Sequence, residues 1–445
     1  MNILQITPGA GGMFCGGCFR DNALVAELRK QGHSTLMVPL YLPLTLDEEN
    51  QAAGTPIFFS GINVYLEQKS AFFRHAPKWL HQLLASRWLL DLAGKHAGKT
   101  RPEELGDLAL SMIQGEQGLQ ARDLEDLIAW LKTNEKPDVI SLSNVLLVGM
   151  VRRLKQELKV PVVCMLQGED TFLDSLAPEF RERCWRELSA RANEVDLFIA
   201  PSRYFADLMS KRLNLPPDNV HVVYNGISLE GYPPLSTLNP HHSSPTLGYF
   251  ARMCRDKGLE GIVHTFIELN RRNRVPSLRL KIGGGCGPSD QPQVAAMKRL
   301  LERNGCLDRV SFHPNVDRAQ KIEFLHSLTV FCTPALYGEA FGLYVIEAMA
   351  AGVPVVQPKH AAFPEIIDAT GGGIIADPNP VALADAIEDL LLNPAKARSL
   401  AESGCRVAHE YFSVERMARG SVDVFARAVS HRKTAGSNLG SPHGV

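Results

Sequence analysis

The sequence lacks any long hydrophobic run and any excess of charge of one sign. No stretch approaches the roughly 20 apolar residues that a membrane-spanning helix needs, which leaves only peripheral membrane contact open. Lys and Arg number 47 against 48 Asp and Glu, so no global field would hold nucleic acid or an anionic membrane. Nucleic acid is therefore not expected as a partner, and any anionic ligand must be held by local charges.

The sequence also lacks the features of a secreted protein. Nine cysteines are scattered through predicted strands and helices, an odd number that fits reduced thiols better than a disulfide framework. The first residues, MNILQIT, have neither the basic region nor the long apolar region of a signal peptide and predict a strand. Both features predict a cytoplasmic protein, and neither indicates an oligomeric state.

Short runs rich in Val and Ile alternate with longer helical patterns, which is typical of parallel strands joined by crossover helices. The 445 residues exceed what one hydrophobic core usually organises. The fold class is therefore α/β, with two doubly wound, Rossmann-like domains facing a central cleft. The predicted strands are residues 3–7, 35–38, 63–66, 139–142, 162–166, 197–200 and 221–223, then 247–250, 278–282, 310–312, 330–333, 354–357 and 373–376.

Turn-rich composition marks the domain boundary. Residues 231–245 contain Pro-Pro, Asn-Pro, His-His and Ser-Ser pairs, a linker composition. A helical pattern from about 70 to 132 interrupts the alternation and predicts an insertion in the first domain. The expected parts are an N-terminal domain at 1–230, the linker at 231–245, a C-terminal domain at 246–412, a last helix at 413–430 that packs back on the first domain, and a disordered tail at 431–445.

Two carboxylates flank the start of a predicted helix after the strand at 330–333. Glu339 lies on the loop, and Glu347 lies about one turn inside the helix. Ligands of open α/β sheets bind at the carboxyl ends of strands, where free amides and the helix dipole suit a phosphate. Glu347 could accept hydrogen bonds from ribose hydroxyls while Glu339 faces what lies beyond the phosphates. A single Glu is more commonly a surface charge, so the wider segment matters.

That wider segment reads EAFGL at 339–343 and EAMAAGVPVV at 347–356. It closely resembles the two-glutamate signature of retaining family 4 glycosyltransferases of the GT-B fold, also called glycosyl transferases group 1. The resemblance is specific from about 247 to 377 and looser before it, and it leaves out the helical insertion and the tail. It implies that Glu339 is catalytic. The residues that it implies for donor binding in this segment are Phe341, Gly342, Leu343 and Glu347.

Two cations precede this signature. Arg252 and Lys257 lie in FARMCRDKG at 250–258, which resembles the pyrophosphate-binding segment of the family. Fixed cations would stabilise the charge that develops on a nucleoside diphosphate leaving group. A cation at a helix start also opposes the dipole and so invites an anionic partner. The resemblance implies that both residues take part in catalysis in place of a metal, and neither a metal nor a cofactor is expected.

Glycine-rich turns complete the expected donor site. IGGGCGP at 282–288 resembles the family's turn near the nucleobase, which brings in Gly284, and HPNV at 313–316 resembles the segment that reads the base edge, which brings in Val316. The glycine-rich loop at 7–18 contains Gly11 and Gly12 and resembles the mobile loop that closes over the donor. It does not follow the GxGxxG order, which disfavours a tandem Rossmann dehydrogenase.

The same loop contains Cys15 and Cys18, separated by two glycines. This spacing could bind a metal or support redox chemistry, but one CxxC without a second ligand pair falls short of a zinc site. Reduced loop thiols are the favoured interpretation.

The acceptor side is less clearly indicated. Gln167 stands where many members of the family have a His near the transferred sugar. Gln can hydrogen-bond a sugar hydroxyl but cannot carry a proton. Glu169, Asp170 and Asn144 are further candidates for acceptor contacts, although acids at a helix start are equally common for structural reasons. The helical insertion could shape an acceptor pocket.

The resemblance implies a hexosyltransferase-type enzyme. It would move a sugar from a nucleotide-sugar donor to a hydroxyl of a carbohydrate or small acceptor, with retention of the anomeric configuration. A phosphorylase or a nucleotide-sugar epimerase on the same scaffold stays open, as does a non-catalytic nucleotide-sugar-binding protein, because related two-domain sheets serve several functions.

Overall fold

The chain forms two compact units in the computed structural model. The first unit comprises Met1–Tyr224 together with the residues from Met417 onward, and the second is Asn225–Arg416. The structure describes residues 1–9, 16–44, 46, 48–60, 105–134, 136–232 and 244–437.

A parallel six-stranded sheet organises the first unit, with the strand order β2-β1-β3-β4-β5-β6. Strands β3, β4 and β5 are buried along their whole length, and apart from the buried Ser141 of β3 their residues are apolar rather than alternating with polar ones. The strands are β1 Asn2–Thr7, β2 Ser34–Pro39, β3 Val139–Leu142, β4 Val162–Met165, β5 Leu197–Ala200 and β6 Val220–Val222.

Helices connect these strands, and local signals set their ends. Ser202 caps the helix after β5, since its side chain accepts a hydrogen bond from the amide of Phe205, and Asn144 caps a short 3-10 helix, Val145–Met150, after β3. The helices of this unit up to Leu213 are α1 Gly16–Lys30, α2 Gly106–Gln114, α3 Ala121–Leu131, α4 Val151–Leu158, α5 Glu169–Ser175, α6 Pro178–Ala192 and α7 Arg203–Leu213.

A second parallel six-stranded sheet organises the second unit, with the order β12-β11-β10-β7-β8-β9. Its core contains Leu280 and Ile282 of β8 together with Phe266, which lies on the helix between β7 and β8. All three side chains are fully buried. The strands are β7 Thr246–Phe250, β8 Arg279–Gly284, β9 Val310–Pro314, β10 Val330–Phe331, β11 Val355–Pro358 and β12 Gly373–Ala376.

The helices of the second unit cover its sheet, and the last helix continues into the first unit. Asp317 and Gln320 form a reciprocal capping box at the start of α10. The helices are α8 Leu259–Arg272, α9 Gln291–Arg303, α10 Arg318–His326, α11 Leu343–Ala350, α12 Phe363–Thr370, α13 Pro380–Leu392, α14 Pro394–Tyr411 and α15 Val414–Ser437. None of the helices in the described ranges has both the length and the apolarity to cross a bilayer.

Several observed boundaries differ from the predicted ones, among them the division between the units, the end of α15 and the length of β10. The units divide after Tyr224 and not at 230, because Ile227 pairs with Ser413 and exchanges backbone hydrogen bonds with Phe412 and Val414. Helix α15 runs to Ser437, so the tail predicted from residue 431 begins too early. Strand β10 has only two residues, since the chain leaves the sheet before Thr333.

Several sequence predictions fall wholly or partly outside the described residues. They include the strand at 63–66, most of the linker at 231–245, the last residues of the tail at 431–445 and the part of the helical insertion at 70–104. The rest of that segment is helical and contributes α2 and α3. The end of helix α2 packs closely against the backbone of Gly149. A Cβ on Gly115, directly after the helix, would lie 1.8 Å from the carbonyl oxygen of Gly149.

Candidate functional site

The switch point of the second sheet lies between β7 and β10. These strands are neighbours, but the chain proceeds from β7 to β8 on one side and from β10 to β11 on the other. Connections that leave in opposite directions open a crevice beyond the carboxyl ends of the two strands. Arg252 and Lys257 follow β7, and Glu339 follows β10, so the topology delivers all three residues to this crevice.

Lys257 and Glu339 form an ion pair there, although 82 residues separate them in sequence. The ammonium lies 2.6 Å from Oε2 of Glu339, and the two side chains are 23% and 13% exposed. Gly258, directly after the lysine, has φ +78°, and a Cβ there would lie 1.9 Å from the carbonyl oxygen of Pro334. This close backbone approach requires glycine and brings the start of α8 against the loop that carries Glu339.

Two tyrosines also donate to Glu339. The hydroxyl of Tyr344 lies 2.9 Å, and that of Tyr337 3.2 Å, from the same oxygen, Oε2. Burial acts to raise the pKa of the Glu339 carboxyl, but the Lys257 charge and the three hydrogen bonds outweigh burial and leave this pKa below its ordinary value. Burial and the Glu339 charge raise the pKa of both phenols, so they stay protonated and donate.

Arg252 is paired with Asp290, at the start of α9. Nε of the guanidinium lies 3.1 Å from each carboxylate oxygen of Asp290, and Nη2 lies 3.0 Å from Oδ1. Asp290 is 5% exposed and also accepts a hydrogen bond from the amide of Gly287, whereas the arginine side chain is 51% exposed. The buried carboxylate thus fixes the direction of a half-exposed guanidinium.

Glu347, in α11, is paired with Lys321, in α10. The ammonium lies 3.0 Å from Oε1 of Glu347, and the two side chains are 14% and 16% exposed. Glu347 is therefore not an isolated surface charge, the commoner fate of a single glutamate.

The predicted donor contacts around α11 differ in accessibility. Gly342 precedes the helix with φ +88°, a left-handed conformation that favours glycine, and Leu343 is its first, half-buried residue. The side chain of Phe341 is 2% exposed and packs 6.0 Å from the ring of Phe412. The phenyl ring is thus a core group, and only the backbone of Phe341 could face a ligand.

The glycine-rich turn after β8 is joined to the end of β9 by Asn315. The side chain of Asn315 accepts a hydrogen bond from the amide of Cys286 at 2.8 Å. It also donates a hydrogen bond to the carbonyl oxygen of Cys286 at 3.0 Å. Gly284 has φ +120°, and a Cβ there would lie 2.0 Å from the carbonyl oxygen of Ala251. Val316 follows Asn315 directly and is half-buried. The two predicted nucleobase segments therefore form one connected edge.

In the first unit, Asn144, Gln167 and Glu169 come together beyond the ends of β3 and β4. The carboxylate of Glu169 accepts hydrogen bonds from the amide of Val145 at 2.9 Å and from that of Gln167 at 2.7 Å. Burial raises the pKa of Glu169, and the amide hydrogen bonds offset only part of this effect. Glu169 thus joins two strand ends through these hydrogen bonds, and its contact with the acceptor stays a prediction.

Asp170 is the other acid of this segment. It is 7% exposed, and burial raises the pKa of its carboxyl. It lies in the first turn of α5, behind Gly168, whose φ of +95° begins the helix. Gln167 itself is half-buried and stays accessible at the strand end.

A buried ion pair anchors the start of α1. Arg20 lies 2.9 Å from Asp21, and the two side chains are 2% and 0% exposed. The guanidinium of Arg20 also donates to the carbonyl oxygen of Ser143 and contacts the sulfur of Met165, which ties α1 to the ends of β3 and β4. The predicted loop residues Gly11, Gly12 and Cys15 lie outside the described residues.

The cysteines of the described ranges are mostly buried, and Cys18 is among the buried ones. Among the described residues, no three His, Cys, Asp or Glu side chains are arranged to hold a metal ion.

Sequence reasoning missed the partners of the predicted site residues. Each of these partners forms a hydrogen bond or an ion pair with a predicted site residue or with a predicted turn. Tyr337 and Tyr344 had a local signal, because both lie within five residues of Glu339. The missed residues are Asp290, Asn315, Lys321, Tyr337 and Tyr344.

Two family models match the chain. The model described as Glycosyl transferases group 1 matches residues 237–406, and that described as Glycosyltransferase Family 4 matches residues 108–230. The second match starts at 108, so the helices α2 and α3 lie inside the matched region. The prediction that residues 108–132 lie outside the resemblance is therefore wrong.

Curated relatives match over part of their length. A D-inositol 3-phosphate glycosyltransferase of Xylanimonas cellulosilytica is 27% identical over 250 residues, which cover 53% of this chain and 58% of the relative. An alpha-maltose-1-phosphate synthase of Mycobacterium tuberculosis is 26% identical over 275 residues, 57% of this chain and 68% of the relative. The chain thus spans little more than half the length of the first of these relatives.

Solved structures share the fold over nearly the whole chain. Sucrose-phosphate synthase from Thermosynechococcus elongatus has a TM-score of 0.68 at 19% identity and covers 97% of this chain and 100% of its own. HepE from Anabaena has a TM-score of 0.66 at 17% identity, with 96% and 100% covered. With two parallel sheets of the GT-B type and both family matches, the chain belongs to the family of glycosyl transferases group 1.

Proposed function

We propose that the chain is a glycosyltransferase that moves a sugar from a nucleoside diphosphate sugar to an acceptor hydroxyl, with retention of the anomeric configuration. The observation that supports this most is the convergence of Arg252, Lys257 and Glu339 at the switch point of the second sheet. Two cations and one oriented carboxylate there suit a diphosphate and the sugar attached to it.

The donor class is supported by relatives as well as by geometry. Structures of HepE from Anabaena were determined in complex with UDP and with UDP-glucose. In this chain, Glu347 would accept hydrogen bonds from ribose hydroxyls, and the edge formed by Gly284, Asn315 and Val316 would face the base. We therefore take UDP-glucose as the first donor to test.

The chemical step follows from the charges. The bond between the anomeric carbon and the diphosphate oxygen breaks, and the diphosphate keeps the electron pair. Arg252 and Lys257 stabilise the charge that develops on it. The acceptor oxygen forms the new bond on the same face, and its proton passes to the departing phosphate oxygen. Glu169 is occupied by two backbone amides, which supports this route over attack by that carboxylate.

A binding experiment tests the donor assignment. A ligand that binds only the folded state raises the unfolding temperature, so the full chain should be melted with UDP-glucose, ADP-glucose and GDP-mannose. Nucleoside diphosphate release is then measured with free sugars, sugar phosphates and inositol phosphates as acceptors, with and without EDTA. Unchanged turnover in EDTA is expected, since we propose that the two cations replace a metal.

The two glutamates should affect different steps. Glu347→Ala should weaken UDP binding about tenfold, as expected for loss of hydrogen bonds from a charged group, whereas Glu339→Ala should lower kcat more than it raises KM. Glu410→Ala removes an exposed glutamate from an ion pair on α14 and serves as the control. Equal and negligible effects of the first two changes, or inversion at the anomeric carbon in the product, would contradict the proposal.

A further inference from the structure

The strongest feature that the proposed function does not use is the pair of tyrosines around Glu339. We propose that Tyr337 and Tyr344 are positioning residues for glycosyl transfer: their hydroxyls hold Oε2 of Glu339, so that Oε1 is presented to a hydroxyl of the donor sugar. This inference rests on the proposed function and adds to it the residues that set the orientation of its carboxylate.

The hydrogen bonds are distributed unevenly over the carboxylate. Lys257, Tyr344 and Tyr337 all donate to Oε2, at 2.6, 2.9 and 3.2 Å. No residue in the described ranges donates to Oε1. A carboxylate held by three donors on one oxygen cannot turn without breaking all three, and the other oxygen keeps its lone pairs for a ligand.

The tyrosine rings also enclose the lysine. The ammonium of Lys257 lies 4.7 Å from the ring centre of Tyr337 and 5.6 Å from that of Tyr344. These distances are within the range of cation–π attraction. The same two side chains therefore position both members of the ion pair, the cation through their rings and the carboxylate through their hydroxyls.

The surrounding core fixes Tyr344 in turn. Its ring packs 6.2 Å from Phe331, the last residue of β10, and 6.4 Å from Phe363, the first residue of α12. Phe331 and Phe363 are fully buried. Tyr344 thus holds the carboxylate of Glu339 from a ring that is packed against the core. Tyr337 holds the same carboxylate from the loop.

The tyrosine hydroxyls matter because Lys257 is also proposed to bind the diphosphate of the donor. If the ammonium moves towards a bound diphosphate, its hydrogen bond to Glu339 lengthens. The two phenols then remain as the donors that keep the carboxylate ionised and oriented. Hydrogen bonds to a charged group are stronger than those between neutral groups, so the loss of either hydroxyl should be measurable.

The first test needs no substrate. Tyr337→Phe, Tyr344→Phe and the double variant keep the rings against Lys257 and remove only the hydroxyls. The Glu339 carboxyl is titrated by carbon-13 NMR in the full chain, with Glu339→Gln to assign its signal. Each substitution should move the titration to higher pH, most in the double variant. Tyr411→Phe, at an exposed tyrosine of α14, should leave it unchanged.

The second test measures turnover with UDP-glucose as the probe. We expect kcat for UDP release to fall about tenfold in Tyr344→Phe, as for loss of one hydrogen bond to a charged group, with KM nearly unchanged. The acid limb of the kcat profile should move to higher pH. A residue that only supports the fold would change the unfolding temperature without moving this limb.

The outcomes separate the two hypotheses. Normal wild-type turnover, together with an unchanged titration and kcat in the double variant, overturns the role of the tyrosines and leaves the proposed function standing. A wild-type chain that binds no nucleotide sugar overturns the proposed function and, with it, the sugar contact of Glu339.

Discussion

At the scale of single residues, the pair Lys257–Glu339 couples stability to the proposed chemistry. Lys257→Met leaves a largely buried carboxylate without its cation and should lower the free energy of unfolding by about 2 kcal/mol at neutral pH, less than for a fully buried pair because both groups are partly exposed. Lys257→Met/Glu339→Gln should recover most of this loss but not turnover. Urea denaturation and UDP release measure the two effects.

The pH dependence of this loss has a definite sign. In the native protein the pKa of Glu339 is lowered, so its ionised form contributes stability that is complete above the ordinary pKa of a glutamate and is lost as pH falls from there through the depressed value. Without Lys257, burial raises the pKa, and the deficit of the variant should shrink towards acid pH as the carboxyl takes up a proton. Lys396→Met breaks an exposed pair of the same 2.6 Å length and should have no measurable effect. Additive single effects in the double variant would contradict the coupling.

At the scale of elements, Asn315 joins two strand ends into the proposed nucleobase edge. Both Asn315→Ala and Asn315→Gly remove the hydrogen bonds to Cys286 and should weaken UDP binding about tenfold, as measured by titration calorimetry. Only alanine is strained at φ +54°, so Asn315→Ala should be the less stable variant by about 1 kcal/mol.

Asn273 offers a matched control for this element. It has φ +53° at the end of α8, outside the nucleobase edge. Asn273→Ala should lose similar stability and keep its affinity for UDP. Equal loss of UDP affinity in both alanine variants would show that Asn315 acts through general stability and not through the turn.

The same elements show where sequence patterns are informative. The strands at 139–142, 197–200 and 373–376 have the boundaries predicted from the sequence pattern. The extension of α15 to Ser437 could not be predicted, because HRKTAGS at 431–437 has neither apolar periodicity nor a strong stop signal. The ion pair between Lys257 and Glu339 could not be predicted either, because it depends on the order of the strands in the sheet, which brings residues 82 positions apart together.

At the scale of the whole molecule, donor binding should be confined mainly to one unit. We expect UDP to slow amide hydrogen exchange most in the second unit, Asn225–Arg416, at the segments after β7, β8, β9 and β10. Hydrogen-exchange mass spectrometry with and without UDP measures this directly. Protection concentrated in Met1–Tyr224 instead would contradict the placement of the nucleotide, and Glu347→Ala should reduce the protection in proportion to its weaker binding.

Three of the cations at the candidate site are each matched by a carboxylate: Arg252 by Asp290, Lys257 by Glu339 and Lys321 by Glu347. Their charges cancel pair by pair, so these six groups create little long-range attraction for anions. Polyanions and free phosphate therefore gain little from approaching this edge of the sheet. An anion is retained only when its oxygens match the positions at which the carboxylates hold the cations. The site therefore selects anions by their geometry rather than by their charge.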